Sequence, residues 1–342
     1  LIPSPLEGDG QDGGEETSGL PCVPISYGRI QAEPGGEAMD MPRDFMGYGN
    51  NTPKVQWPNG ARLALNFVIN YEEGSERNRL DGDEELEPLS EATYPSRPGE
   101  RELTQESFYE YGSRVGIWRM MEVFARHQVT PTIFACAVAL ERNAAVTREF
   151  VERKYDMVGH GYRWISHFGL TEDQEREQIR NAVDSIQRTT GQRILGWFTR
   201  PPQTVATRRI LAEEGFLFDS GALNDDLPYF QEVRNRPFLI VPYSLDINDV
   251  RFWKGGLFTA RDFEMYCSDS FDALYQESAR IPRMMSVGLH CRIIGRPGRI
   301  LGLDRFLIHV RNHPDVWIAT RTEIARFWAE RFAPPHTWNW QG

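Results

Sequence analysis

The chain has 342 residues, of which 40% are hydrophobic, and a formal net charge of −11 at pH 7. A chain of this length can bury a substantial core, and as one domain it favours a barrel, although two half-sized domains also fit the length. An acidic exterior repels nucleic acid and anionic lipid, and no apolar run reaches the roughly 18 residues of a membrane span, so we expect neither partner.

The N-terminal segment differs in composition from the rest. Residues 1–38 are rich in Gly, Glu, Pro and Ser and show little periodicity. This composition predicts an extended arm without a core of its own. Residues 39–342 are then expected to form a single domain.

The four cysteines are scattered along the chain, with no CxxC pair. Such spacing is typical of small buried hydrophobic residues in a reducing compartment. We therefore expect a cytoplasmic protein.

From residue 62 onward, short apolar runs alternate with amphipathic segments. Strands are predicted at residues 64–70, 132–137, 157–160, 194–198, 239–244, 285–290 and 316–320. Helices are predicted at residues 113–127, 172–189, 204–214, 260–279, 301–312 and 322–332, and in the first of them Val115, Trp118 and Met121 fall largely on one face. This alternation implies a parallel sheet covered on both faces, and about seven such units can close an α/β barrel.

Polar side chains stand at the ends of several predicted strands. The first strand runs into Glu72 and Glu73, another ends at His160, one is followed by Arg200, and a late one ends at His290. Because the carboxyl ends of barrel strands converge on one face, these side chains are expected to share a pocket.

Each of these side chains has a chemical interpretation and a structural alternative. Repulsion between Glu72 and Glu73 raises the proton affinity of one of them, which suits a general base, but a solvated turn fits equally well. His160 lies between glycines and could bind metal, position a carboxylate or shuttle protons. His290 ends an apolar strand, which favours a polar pocket, whereas His167 also fits a hydrogen-bonded core position.

Six blocks of sequence carry a family resemblance: 44–49 (DFMGYG), 67–74 (FVINYEEG), 109–114 (YEYGSR), 160–165 (HGYRWI), 225–229 (DDLPY) and 288–299 (GLHCRIIGRPGR). With these blocks the chain resembles the polysaccharide deacetylase superfamily over about residues 42–328. Within it, the chain is most similar to the metal-independent allantoinases and related cyclic-amide hydrolases. The resemblance implies an α/β fold, a distorted (β/α) barrel, and a homo-oligomer.

The motifs of the superfamily can be placed on this sequence one residue at a time. Its TFDDG motif, an aspartate base followed by an aspartate metal ligand, matches residues 70–74 and falls on Glu72 and Glu73. Its HxxxH metal pair matches His160 and Trp164, so tryptophan replaces the second histidine. We therefore expect no required cofactor; the alternative is zinc or another divalent metal on Glu73, His160 and His167.

The expected reaction is hydrolysis of a non-peptide C–N bond, by ring opening of a small cyclic ureide or imide. It needs a base for water, positive character at the oxyanion and an acid for the departing nitrogen. Glu72 or Glu73 is the candidate base and His290 the candidate acid, while His160 orients the carboxylate or binds the carbonyl. Arg200 is the candidate partner of the negative oxygen.

The candidate substrate-binding residues are Arg200, Trp164, Asp226, Tyr229 and Arg296. Aromatic side chains among them could wall a closed pocket for a small polar substrate. A capped turn is the alternative for Asp226. Two other functions stay open: a metal-dependent N-deacetylase of chitin-like amino sugars, and a catalytically inactive barrel that binds a ligand.

Overall fold

The structure, a computed structural model, describes residues 41–89, 99–253 and 258–340. The arm predicted for residues 1–38 lies outside the described residues, so it stays a prediction. The described residues belong to one compact unit, Asp40–Gly342. Within the described ranges, every helix is too short or too polar to cross a membrane.

One twisted, mostly parallel sheet forms the centre of the fold. Its strands are β1 (Leu63–Tyr71), β2 (Thr132–Ala135), β3 (Asp156–Gly159), β4 (Gly196–Trp197), β5 (Phe218–Asp219), β6 (Tyr229–Val233), β7 (Arg236–Ile240), β8 (Arg283–His290) and β9 (Val316–Ile318). Their order is β6-β7-β5-β4-β3-β2-β1-β8, and β9 pairs with β1. Neighbouring strands are parallel except for the β6–β7 hairpin.

The two ends of the sheet are connected through loop segments and not through a further pair of regular strands. The backbone N–H of Met284 donates to the carbonyl oxygen of Asp226 at 2.8 Å, and that of Gly288 donates to Ile247 at 2.8 Å. These bonds join the chain on either side of the β6–β7 hairpin to β8. The result is the distorted (β/α) barrel that the sequence predicts.

Helices cover the outside of the barrel. They are α1 (Leu103–Tyr111), α2 (Ile117–Arg126), α3 (Ala137–Arg142), α4 (Ala144–Glu152), α5 (Glu172–Thr190), α6 (Val205–Glu213), α7 (Asp249–Trp253), α8 (Ala260–Glu277), α9 (Ile300–Arg311) and α10 (Arg321–Phe332). Four of them begin at a threonine whose hydroxyl accepts a hydrogen bond from the third helical N–H: Thr171, Thr204, Thr259 and Thr320. Threonine here satisfies an N–H that has no partner within the helix.

All seven predicted strands are present, although the fifth of them, β7, begins and ends earlier than predicted. The sequence analysis missed β5, β6, α1 and the short helices α3, α4 and α7. It also missed a π-helical segment, Gly112–Gly116, that precedes α2.

Side chains of each strand alternate between the barrel interior and the helix layer. In β1, Leu65, Phe67 and Ile69 pack in a hydrophobic cluster with residues of α2 and α9, whereas Ala64 and Val68 pack in a second cluster with residues of other strands and of α10. Asn66 points inward as well, where its side-chain oxygen accepts from Arg321. Even-numbered residues of β1 therefore face the interior, and the same alternation continues past the end of the strand.

Candidate active site

Three functional candidates meet at the carboxyl end of the barrel. Asn70 pairs with His290 in the β1–β8 register, and Ala135 pairs with Gly159 in the β2–β3 register. Glu72 and His160 thus directly follow two strands that lie near each other, and His290 ends a third. The alternation of the strands directs all three side chains inward, as the sequence predicts.

Glu72 lies between two imidazoles and a guanidinium. Its Oε1 is 3.3 Å from Nε2 of His160 and 3.5 Å from Nε2 of His290. Its Oε2 accepts a hydrogen bond from Nη1 of Arg292 at 2.8 Å. Each of these four residues is at most 7% exposed. Water screens such contacts weakly, so they fix the position of the carboxylate.

The far side of each imidazole is held by an acceptor. Nδ1 of His160 is 2.7 Å from the carbonyl oxygen of Phe198, and a carbonyl only accepts, so Nδ1 carries the proton. Nδ1 of His290 is 2.7 Å from Oδ1 of Asp249, whose Oδ2 accepts from the backbone N–H of His290 at 2.8 Å. Both rings therefore direct Nε2 at Glu72.

The charges of this cluster have definite signs. Burial alone would raise the pKa of Glu72, but the charges of His290 and Arg292, with the hydrogen bond from His290, hold it well below its usual range. Burial alone would lower the pKa of His290, but Glu72 and Asp249 raise it to about 10. At neutral pH the cluster contains a carboxylate and an imidazolium side by side.

Glu73 points away from Glu72 into the helix layer. Its Oε1 accepts from the backbone N–H of Arg292 at 3.1 Å, and its Oε2 accepts from the N–H of Glu72 at 3.2 Å. Gly112 makes room for it, because a Cβ there would overlap the Glu73 carboxylate. Burial, with the charge of Glu72, raises the pKa of Glu73 despite Arg292. Of the two predicted carboxylates, only Glu72 therefore faces both imidazoles.

Aromatic rings surround the guanidinium of Arg292. Its Cζ lies 4.7 Å from the ring centroid of Tyr109 and 5.4 Å from that of Trp164. Arg200 stacks on Trp164 at 4.0 Å and forms a two-bond ion pair with the buried Glu87, at 2.7 and 2.8 Å. Arg200 thus contacts the site through Trp164, while its Nη1 and Nη2 atoms donate to Glu87 and to the Trp164 carbonyl.

The donors at this face do not fit a three-ligand metal centre. Glu72, His160 and His290 do not form a set of donor atoms within 4.8 Å of one another, since in the described ranges only Asp272, His309 and His313 form one. The guanidinium of Arg292, moreover, already binds Oε2 of Glu72. A catalytic zinc site needs three converging protein donors and an open position.

The predicted ligand set of Glu73, His160 and His167 is corrected by the same geometry. His167 is buried beside α5, where its Nδ1 lies 3.3 Å from Oε1 of Glu175. Glu73 faces backbone N–H groups rather than His160. The structure therefore does not bring these three side chains together.

Two predicted substrate-binding residues lie elsewhere in the barrel. The backbone carbonyl of Asp226 accepts a hydrogen bond from the backbone N–H of Met284. Met284 lies six residues before His290, and six residues span ~20 Å along a strand. Asp226 lines a cavity of about 250 Å³ together with Asp225, Tyr243, Ser244 and Ser286 among others. The hydroxyl of Tyr229 binds Asn224. Among the described residues, neither Asp226 nor Tyr229 therefore contacts Glu72, His160 or His290.

Arg296, the remaining candidate, lies one turn beyond Arg292. Its Cζ is 3.6 Å from the ring centroid of Tyr111 and 4.7 Å from that of Phe108. Its Nε donates to the carbonyl of Arg292 at 3.2 Å. Arg296 thus supports the loop that carries Arg292.

Two residues of the cluster were missed by sequence reasoning. Arg292 could have been found, because it lies two residues after His290 and the alternation of β8 directs it to the same side. Asp249 offered no such signal, since it begins a five-residue helix in a segment without clear periodicity.

Comparison with known proteins finds a matching family and a similar protein whose name agrees with it. Residues 106–216 match the family described as "Polysaccharide deacetylase". A Schizosaccharomyces pombe protein named "Putative polysaccharide deacetylase" is 38% identical over 313 residues, which cover 84% of this chain and 97% of that protein.

Two solved structures are similar over nearly their whole length. The crystal structure of a "probable Polysaccharide deacetylase from Pseudomonas aeruginosa PAO1" is 46% identical, with a TM-score of 0.81, and the match covers 85% of this chain and 99% of that one. The crystal structure named "Puue Allantoinase" is 44% identical, with a TM-score of 0.82, over 86% of this chain and 99% of that one.

Proposed function

The chain belongs to the polysaccharide deacetylase family, and from that premise we propose that it opens the ring of a small cyclic ureide or imide by hydrolysing an amide C–N bond, without a catalytic metal. One observation carries this proposal: the Glu72 carboxylate is held between two imidazoles, with an arginine where a metal would supply positive charge.

The protonation states suit acid–base catalysis of amide hydrolysis. Glu72 is ionised and His290 is protonated at neutral pH. In the proposed reaction Glu72 takes a proton from water while the water oxygen attacks the carbonyl carbon of the substrate. His160 orients the carboxylate during this step, because its own ring is fixed by the Phe198 carbonyl.

Positive charge then stabilises the tetrahedral intermediate. Arg292 is buried beside Glu72, so a developing oxyanion near this pair interacts with a guanidinium that water screens weakly. This role replaces the one that the sequence analysis gave to Arg200.

Collapse of the intermediate breaks the C–N bond and leaves the electron pair on nitrogen, which accepts the proton of His290 Nε2. The products are a carboxyl group and an N–H group, and one water is consumed. Glu72 then holds a proton that His290 lacks, and the two atoms are 3.5 Å apart. Direct transfer across this distance restores the starting state.

Burial and similarity support a small substrate. Because each residue of the catalytic cluster is at most 7% exposed, a polymer that needs an open groove has poor access to it. The 44%-identical structure carries the name allantoinase, which supports a cyclic ureide as the first compound to assay. Deacetylation of an amino sugar breaks the same kind of bond, so the two functions differ in substrate rather than in chemistry.

A substrate panel with and without EDTA tests the proposal. We expect ring opening of allantoin, a hydantoin or a succinimide at a rate that EDTA leaves unchanged, and no release of acetate from chito-oligosaccharides. Turnover of chito-oligosaccharides alone, abolished by EDTA, would contradict it and favour the deacetylase. Binding of ligands without turnover of any compound would favour the inactive barrel.

A further inference from the structure

A second cluster of ionisable side chains lies on the helix layer, between α8 and α9. Asp272 of α8 and His309 of α9 are in contact, with 2.7 Å between Oδ1 and Nε2. His313 follows four residues after His309, and one donor atom from each of the three residues lies within 4.8 Å of the other two. All three residues are partly exposed, so ions from solvent can reach them.

The second imidazole is oriented by its neighbours. Nδ1 of His313 lies 3.1 Å from the backbone carbonyl of His309, to which it donates. That bond leaves the lone pair of Nε2 available for another partner. The ring packs against Phe271 and Tyr275, with centroids 4.9 and 4.7 Å away, on the helix that carries Asp272.

We propose that Asp272, His309 and His313 bind a divalent transition-metal ion of the zinc class, with water in the open position. Two imidazoles and one carboxylate are a donor set that zinc accepts at ~2.0–2.2 Å. In a tetrahedral site such donors lie ~3.3 Å apart, so the Asp272–His309 pair separates by a few tenths of an ångström on binding. Exposed side chains make that adjustment easily.

This site is far from the catalytic cluster. The loop after His290 leads into α9, whose twelve residues span ~18 Å, and the metal cluster lies at the far end of that helix. An ion bound there joins α8 to α9 without touching Glu72. Metal in the purified protein is therefore no sign of a catalytic metal, and the site is independent of the proposed reaction.

Calorimetry tests this proposal. The full chain, without tags and stripped of metal, is titrated with zinc chloride. We expect one ion per chain, and both His313→Ala and Asp272→Asn should weaken binding at least ~100-fold, since even indirect partners of a metal contribute ~10–100-fold. His127→Ala is the matched control, because His127 makes the same 2.7 Å contact with Asp304. The zinc affinity of the His127→Ala variant should equal that of the wild type.

An anomalous-scattering map of zinc-soaked wild-type crystals gives a test that needs no variant. The expected peak lies between Asp272, His309 and His313. A peak at Glu72 instead, no zinc binding up to ~100 µM (about −5.5 kcal/mol or weaker), or unchanged affinity in His313→Ala would overturn the proposal.

Discussion

Replacing Asp249 by asparagine tests how the protein keeps His290 protonated. Oδ1 of Asp249 contacts Nδ1 of the His290 ring, and Oδ2 of Asp249 accepts a hydrogen bond from the backbone N–H of His290. Asparagine retains an oxygen for hydrogen bonding but removes the charge. We therefore expect the ring to stay in place and its pKa to fall.

The size of the fall follows from the structure. The pKa of His290 is raised from 6.5 to about 10, and at about 1.36 kcal/mol per unit this is about 5 kcal/mol in favour of the charged ring. Two carboxylates, Glu72 and Asp249, supply it against the opposing effect of burial. The loss of one of these two carboxylates should remove about half of that, about 2 kcal/mol, so the pKa falls by roughly one to two units.

NMR titration of histidine ring carbons measures this pKa without a substrate, and His290→Gln assigns the signal. The alkaline limb of the kcat/KM profile should shift together with the pKa of His290, from near pH 10 towards pH 8. The reason is that His290 must be protonated to donate a proton to the departing nitrogen. A wild-type His290 that titrates near 6.5, or an Asp249→Asn variant with an unchanged pKa, would refute this reasoning.

Three further substitutions test the surroundings of the cluster. Arg292→Ala should lower the free energy of unfolding by about 3 kcal/mol in urea titration, because it leaves a buried carboxylate without one partner; a change below ~0.5 kcal/mol would contradict this. Burial raises the pKa of Glu76 to about 7, so the stability that its neutral form provides is present below pH ~4.5 and lost as pH rises through 7. Glu76→Gln cannot ionise and should therefore gain up to about 3 kcal/mol over the wild type at pH 8, whereas a pH-independent difference would exclude Glu76 as the cause. Gly112→Ala should cost about 1–3 kcal/mol through overlap with the Glu73 carboxylate, while Gly298→Ala, with open space around its Cβ, is the control; equal stability of the two variants would refute the overlap.

The assembly of the candidate site was predictable because strand ends obey a simple geometry. Glu72, His160 and His290 are separated by 88 and 130 residues in sequence (160 − 72 and 290 − 160), yet each marks the end of an apolar run. Parallel strands bring such ends together, and alternation then selects Glu72 over Glu73. Local sequence alone carries both pieces of information.

Other parts depend on packing that local sequence does not record. The predicted helix at residues 113–127 begins with the π-helical segment Gly112–Gly116, which shifts the phase of the residues that follow. Val115 and Trp118 are consequently each 37% exposed, and Ile117 and Met120 are buried instead. No periodicity count on the sequence includes that shift.

The two short strands that were missed explain the error at Asp226. β5 and β6 have two and five residues, too few for a periodic signal. Because these strands were not predicted, the sequence did not indicate where the acidic pair before Tyr229 lies relative to the end of β1. The homo-oligomer and the cytoplasmic location, which depend on surfaces and signals outside the barrel, stay predictions.

The most direct test of the catalytic assignment is the turnover number of metal-stripped Glu72→Gln on the cyclic amide that the wild type opens. Glutamine has nearly the same shape but cannot accept the proton of water, so we predict a loss of at least ~10³-fold, with a melting temperature close to that of the wild type. A folded Glu72→Gln protein that retains more than about a tenth of the wild-type rate, a barrier change below ~1.4 kcal/mol, would contradict the account.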